Sequence, residues 1–315
     1  MLKIIVKMKI KILILLLSGM QIQAFNTISS LTMIKHNNNI NFKPVHKHKL
    51  NSYFKLTRPE GLAYEFALPL FGSYLATKNI ATSVSPSALL IAFITTLVAS
   101  NSMVINDYYD YKSGTDNLKD SKILNKKILT SEEVLYFSMY LALTCYYLTS
   151  LVNNNIVRNI ISNTIILTYL YTPVLKNIPF VKNIVVAFIV AQAPLVGGLA
   201  VSGNIYYIKP AIVYLFNFIM WQELMLDIMD MEGDKKNNIK TIPVIYGYKN
   251  ANIICILYLL LGTLLPYGLS LTFILLQSPI ILINIYALRA NKILKKTALK
   301  LSKVIMLFSG IYMSI

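Results

Sequence analysis

The sequence predicts an all-α, polytopic membrane protein, with nine transmembrane helices in one bundle behind a basic N-terminal extension. Apolar residues make up 56% of the 315 positions and charged residues 14%, against roughly a quarter charged in soluble domains. Apolar runs of the ~20 residues needed to cross hydrocarbon recur along the chain. None alternates with period two, as the strands of a barrel would, so the backbone must satisfy itself in helices.

The extension comes first. Residues 1–59 hold ten Lys or Arg and no Asp or Glu, so the formal charge of +17 divides into +10 here and +7 beyond. Met1–Lys11 is a basic n-region, Ile12–Leu17 a short apolar h-region, and Gln23-Ala24-Phe25 a small-residue cleavage site. That is the form of a signal peptide over residues 1–25, too short for a transmembrane helix. Residues 26–54 are acid-free, basic and polar, as in an organellar transit peptide. Together they resemble the bipartite leader of proteins sent to algal secondary plastids, so a plastid membrane, inner envelope or thylakoid, is the expected location.

The body, residues 55–315, follows as nine apolar segments, roughly 62–77, 86–106, 134–152, 157–172, 183–202, 208–226, 251–269, 271–288 and 299–315. Breaks are expected at Pro86, Pro173, Pro179, Pro210, Pro243, Pro266 and Pro279, and at the polar run Asn153–Asn155. If nine helices alternate in direction, the connections after the even-numbered helices share one face with Lys55 and Arg58. That face collects Lys112, Lys126, Lys127, Lys176, Lys182, Lys235, Lys240 and more, while the other holds only Lys78, Arg158 and Lys209. The bias supports the helix count and marks the rich face as stromal or cytoplasmic.

Composition removes several chemistries. All three histidines, His36, His46 and His48, lie in the extension, so the body has no imidazole for a base, a zinc site or a Ser-His-Asp triad. Cys145 and Cys255 sit in apolar runs and read as buried, reduced hydrophobes.

The carboxylates are concentrated. Glu60 and Glu65 open the first helix; the other eleven acids fall in two windows, Asp107–Glu133 and Glu223–Asp234, both on the lysine-rich face. Asn106 and Asp110 are four apart and Asp107 and Asp110 three apart, so they share one side of the second helix. Glu223, Asp227, Asp230 and Asp234 form one stripe on the sixth. Carboxylates so placed repel unless cations bridge them. Dense oxygen donors suit Mg²⁺, which takes one or two carboxylates and completes its shell with water and substrate phosphates. Two such clusters ringed by Lys and Arg describe a diphosphate site.

At these residues the chain resembles the UbiA superfamily of intramembrane prenyltransferases, in a plastid-type form. The carrying motifs are Asn106-Asp107-Tyr108-Tyr109-Asp110 and Asp227-Ile228-Met229-Asp230-Met231-Glu232-Gly233-Asp234, with Arg58-Pro59, Tyr171, Lys176 and the Asn183 region in support. The resemblance implies a nine-helix bundle and a Mg²⁺ cofactor held by Asn106, Asp110, Asp230 and Asp234, with Asp107 and Asp227 beside them in the catalytic set. It also implies diphosphate binding by a cationic ring drawn from Arg58, Lys112, Lys126, Lys127, Lys176, Lys235 and Lys240, with Tyr171 lining the substrate. Gly114 stands where the family often has a third Asp, with Asp116 two later, and Lys126-Lys127 replace a usual Arg.

The function so implied is Mg²⁺-dependent transfer of a prenyl chain from its diphosphate to an aromatic acceptor such as homogentisate or dihydroxynaphthoate, in prenylquinone or tocopherol synthesis. Chlorophyllide esterification, terpene cyclisation and a catalytically silent membrane scaffold are the alternatives within the fold. A cation transporter would place acids near mid-helix and on both faces. The expected partners are a prenyl diphosphate, an aromatic or tetrapyrrole acceptor and membrane lipid, with no nucleic acid.

Overall fold

The computed structural model describes residues 47–114, 122–286 and 292–315. The signal peptide expected at residues 1–25, residues 26–46 of the transit segment expected at 26–54, and Asp116 lie outside the described residues, while residues 47–54 fall within α1. One compact unit runs from Lys47 to Ile315. Its helices are α1 (Lys47–Leu56), α2 (Pro59–Thr77), the short α3 (Ile80–Ser83), α4 (Pro86–Lys112), α5 (Ser131–Ser150), α6 (Asn155–Leu170), α7 (Val181–Ala200), α8 (Lys209–Lys236), α9 (Ile242–Tyr267), α10 (Leu271–Tyr286) and α11 (Lys292–Ser314).

Among the described residues, the nine helices of 16 residues or more coincide with the nine apolar segments. Four stretches, Pro86–Lys112, Val181–Ala200, Ile205–Lys236 and Ile242–Tyr267, are long and apolar enough to cross a membrane by length and composition alone.

Local chemistry sets the ends. Ser85 caps α4 by accepting from the Ala88 amide, with Pro86 at the first helical position. Thr130 and Glu133 exchange the two bonds of a capping box at α5, and Asn154 caps α6. One expected proline break is absent: Pro279 lies inside α10, whereas Pro266 stands one residue before α9 ends at Tyr267. Membrane helices tolerate such prolines because neighbouring groups re-satisfy the freed backbone. Conversely α4 and α8 run past their apolar segments, so both acidic motifs stand on continuous helix.

Packing then brings the motif helices together through α7. Glycine lets α2 and α7 touch: a Cβ on Gly72 would lie 2.0 Å from the Pro194 carbonyl oxygen, and one on Gly197 1.9 Å from that of Pro69. Ser73 closes the crossing by donating to the Gly197 carbonyl at 2.8 Å. Small residues and buried hydroxyls serve helix pairs in lipid, where the hydrophobic effect offers little. Around α8, Trp221, Phe218 and Tyr214 pack against α9, α10 and α11, and the Trp221 indole donates to Asn284 at 3.1 Å. Between α4, α5 and α6 a polar knot joins Asn101, Ser138 and Tyr169. The amphipathic α1 is fastened by Leu56, which is buried with Val104, Leu129 and Val134.

Candidate functional site

Three helix ends and one distorted turn assemble the site. The last two turns of α4 present Asn106, Asp107 and Asp110; the last four turns of α8 present Glu223, Asp227, Asp230 and Asp234. After α6 the chain enters a π-helical turn, Tyr171–Leu175, around Pro173, closed by the Lys176 amide donating to the Tyr171 carbonyl at 2.6 Å. Such wider turns are often functional; this one aims Tyr171, Thr172 and Lys176 at α4. The opening of α7 contributes Lys182 and Asn183.

Each motif carboxylate that is buried has a cationic partner. Lys176 Nζ lies 2.6 and 2.8 Å from the two Asp110 oxygens and 3.2 Å from Asn106 Oδ1. The Asn106 amide donates to Asp110 at 2.9 Å and its oxygen accepts from Thr172 at 3.1 Å. Asp107 accepts from Arg58 at 3.1 Å and Lys122 at 2.6 Å. Asp227 accepts from Lys182 at 2.5 Å and from the Asn183 amide at 3.0 Å. Arg58 is directed there by a left-handed backbone, φ 51°, immediately before Pro59 opens α2.

These groups sit at one end of a cavity of about 460 Å³. Arg58, Asn106, Tyr171, Lys176, Lys182, Glu223 and Asp230 line its polar end; its walls are aliphatic, from Val98, Ile160, Ile161, Val186, Ile189 and Leu226 among others. Glu65 and Gln192 also reach it.

The expected residues therefore divide. Asn106, Asp230, Arg58, Tyr171 and Lys176 share the cavity, and Asp107, Asp110 and Asp227 stand behind it, joined to Arg58, Lys176 and Lys182. Lys126, Lys127, Lys235 and Lys240 are exposed on the α4–α5 and α8–α9 connections, Lys112 faces the Tyr108 ring at 5.9 Å, and Asp234 lies outside the cavity lining. Lys122 and Lys182 take part as carboxylate partners outside the expected site, together with Asn183, which entered only in support of the resemblance. A signal for the last two existed: they are the only strongly polar pair opening the otherwise apolar α7.

The donor set fits a hard cation. Asp110 and Asn106 offer three oxygens around one positive nitrogen, the Lys176 ammonium, which stands where a cation is wanted. Asn183 is fully buried beside Asp227, and its Oδ1 has no partner among the described residues. No group of three or more His, Cys, Asp or Glu converges among the described residues; Mg²⁺ needs only one or two protein carboxylates when phosphates and water complete its shell.

Comparison with known proteins places this geometry. The UbiA prenyltransferase family matches residues 66–311. A digeranylgeranylglyceryl phosphate synthase of Pyrococcus furiosus is 27% identical over 250 residues, 77% of this chain and 86% of that protein. That of Methanobrevibacter smithii is 28% identical, over 81% of this chain and 92% of its own length. A solved structure concerning digeranylgeranylglyceryl phosphate synthase in membranes aligns with a TM-score of 0.64 at 25% identity, covering 85% of this chain and 98% of that one. A UbiA homolog from Archaeoglobus fulgidus, bound to GPP and Mg²⁺, shares the fold with a TM-score of 0.58 at 17% identity, over 84% and 99% of the two chains.

These relatives overturn the expected aromatic acceptor, and with it prenylquinone or tocopherol synthesis; the tetrapyrrole acceptor falls as well. The cavity gives a physical reason. Tyr171 is the one aromatic side chain in its described lining, so flat rings find little to stack on, whereas aliphatic walls suit isoprenoid chains. The acidic motifs stand at the metal end of this cavity and carry little information on the acceptor.

Proposed function

This chain belongs to the UbiA prenyltransferase family, and from that premise we propose that it transfers a geranylgeranyl-type chain from its diphosphate to a hydroxyl of a prenylated glyceryl phosphate. It is an integral membrane protein and a prenyltransferase; the nine crossings, the donor, the acceptor and the residue roles are our reading. The observation that carries it is one cavity joining a carboxylate-and-lysine mouth to aliphatic walls. Its contents are matched by molecules with an anionic head and an isoprenoid tail, as both the donor and the acceptor here are. The names of the relatives, each a synthase of a glyceryl phosphate carrying two geranylgeranyl groups, support the acceptor class.

We assign Asn106 and Asp110 on α4, with Asp230 and Asp234 on α8, as Mg²⁺ ligands, and Asp107 and Asp227 as their neighbours in the catalytic set. Magnesium, when bound, supplies positive charge against the diphosphate as it leaves. The chain's own part is electrostatic preorganisation. Lys176, Lys182 and Arg58, which neutralise Asp110, Asp227 and Asp107 here, stand at the cavity mouth to share their donors with phosphate oxygens. Tyr171 presents a ring to the allylic carbon, where its face stabilises developing positive charge. The aliphatic walls exclude water and hold the tail. Lys126, Lys127, Lys235 and Lys240, exposed on the same side, attract the anionic substrates from the membrane surface. A plastid location rests on the leader's composition alone, and a fluorescent fusion of residues 1–54 tests it.

The experiment is reconstitution in nanodiscs with labelled geranylgeranyl diphosphate, Mg²⁺, and a panel of geranylgeranylglyceryl phosphate, glycerol phosphate and simple prenyl alcohols. The reading expects a doubly prenylated glyceryl phosphate as main product. Consumption of the donor without transfer to glyceryl phosphate would overturn it.

A further inference from the structure

Glu65 is a carboxylate in the substrate cavity with a different setting from those of the acidic motifs. It stands on α2 seven residues after Arg58, about two helical turns, roughly 9 Å, in from the start of that helix. It lines the same cavity as Arg58, Lys176 and Asp230. Asp107, Asp110 and Asp227 each have a Lys or Arg within 3.1 Å; Glu65 makes no hydrogen bond or ion pair among the described residues. A carboxylate placed at membrane depth beside aliphatic walls is costly and marks function by default.

Most of the cavity's other polar groups are engaged elsewhere. The Thr95, Thr164 and Thr168 hydroxyls donate to carbonyls of their own helices, as does Ser102. The Gln192 amide donates to the Phe188 carbonyl. Arg58, Lys176 and Lys182 are cations engaged with carboxylates. Asp230 belongs to the metal set, and Glu223 stands on the same α8 stripe one turn before Asp227, at the metal end of the cavity. Glu65, on another helix, is the cavity's carboxylate outside the two acidic motifs.

We propose that Glu65 is the proton acceptor for the attacking hydroxyl, an inference that rests on the alcohol-acceptor reading of this site. The acceptor oxygen forms a bond to C1 of the prenyl group as the bond from C1 to the diphosphate oxygen breaks. The bonding pair leaves with the diphosphate, and the hydroxyl proton passes to a Glu65 carboxylate oxygen. No electrons are gained or lost overall, and the proton returns to water at the cavity mouth. A neutral alcohol needs such a base far more than the ionisation step does, which explains a carboxylate kept apart from the metal end.

The test compares wild type, Glu65→Gln and Glu65→Asp in nanodiscs, reading Mg²⁺-dependent binding of geranylgeranyl diphosphate, KM and kcat for transfer, and the pH profile of kcat. General bases contribute about 10²–10⁴-fold, so Glu65→Gln is expected to lower kcat by about 100-fold or more, leave diphosphate binding unchanged, and flatten the rise of rate with pH. Glu65→Asp is expected to keep that rise at an intermediate rate. Wild-type kcat and an unchanged pH profile in Glu65→Gln would overturn the proposal, as would a loss of diphosphate binding, which would make Glu65 part of the donor site. If wild type prenylates a different alcohol instead of glyceryl phosphate, the acceptor reading fails while the same comparison on that alcohol still decides Glu65. If it prenylates no alcohol at all, both fall.

Discussion

The Lys176 ammonium bridges both oxygens of Asp110, at 2.6 and 2.8 Å, from a π-helical turn that no other helix end in the described structure shares. The pair links the segment after α6 to the first acidic motif, and it sets how charge is balanced before substrate arrives. Lys176→Gln removes the cation but keeps a polar side chain. We expect the KM for prenyl diphosphate to rise about tenfold or more, equivalent to ~1.4 kcal/mol, with little change in the KM for the acceptor. Steady-state kinetics with both substrates varied checks this. Equal rises in both constants would indicate a general distortion instead.

Lys182 and Asp227 form the least exposed of these pairs, with side chains 14% and 8% exposed. Removing one partner strands the other: Lys182→Met is expected to destabilise by about 3 kcal/mol. The double variant Lys182→Met/Asp227→Leu is expected to recover most of that stability and none of the activity. Thermal unfolding in detergent beside a transfer assay separates the two effects.

The α2–α7 crossing leaves no room for a methyl group at Gly72 or Gly197. Both close neighbours are backbone carbonyls, which cannot swing aside as a side chain would. Gly72→Ala and Gly197→Ala are each expected to cut the yield of folded protein sharply, whereas Gly61→Ala, with open space around its Cβ position, is expected to fold normally. Size-exclusion profiles of the three variants check the contrast.

Helix α1 belongs to the catalytic body by its packing. Leu56, 1% exposed, fills the space between α4 and α5, and Lys49 reaches Glu133 at 2.7 Å. Leu56→Ala is expected to cost about 2–4 kcal/mol, while Lys49→Ala, breaking a solvent-exposed pair, is expected to be nearly silent. Unfolding midpoints of the two variants decide.

Much of this was legible in the chain. The apolar runs located every helix of 16 residues or more among the described residues, and the spacing of Asn106, Asp107 and Asp110 put them on one face. The parts that were hidden depend on three-dimensional proximity. Nothing in the local sequence says that Lys182, 45 residues before Asp227, meets it, or that Lys122 joins Arg58 on Asp107. Lys295 reads as another interfacial lysine, yet it is buried with its ammonium 3.8 Å above the Tyr248 ring. Pro279 reads as a break because propensity penalises it, and the packing of α10 overrides that penalty. The acceptor is not legible in the motifs, which serve metal and diphosphate.

The central claim is that the two acidic motifs hold a metal-bound prenyl diphosphate between them. Equilibrium binding of labelled geranylgeranyl diphosphate to nanodisc-embedded protein, with Mg²⁺ or with EDTA, tests it most directly in wild type, Asp110→Asn and Asp230→Asn. The account predicts tight binding to wild type only with Mg²⁺, and a loss of at least about tenfold in affinity in each variant, one from each motif. Equal binding with EDTA, or undiminished binding in either folded variant, would contradict it.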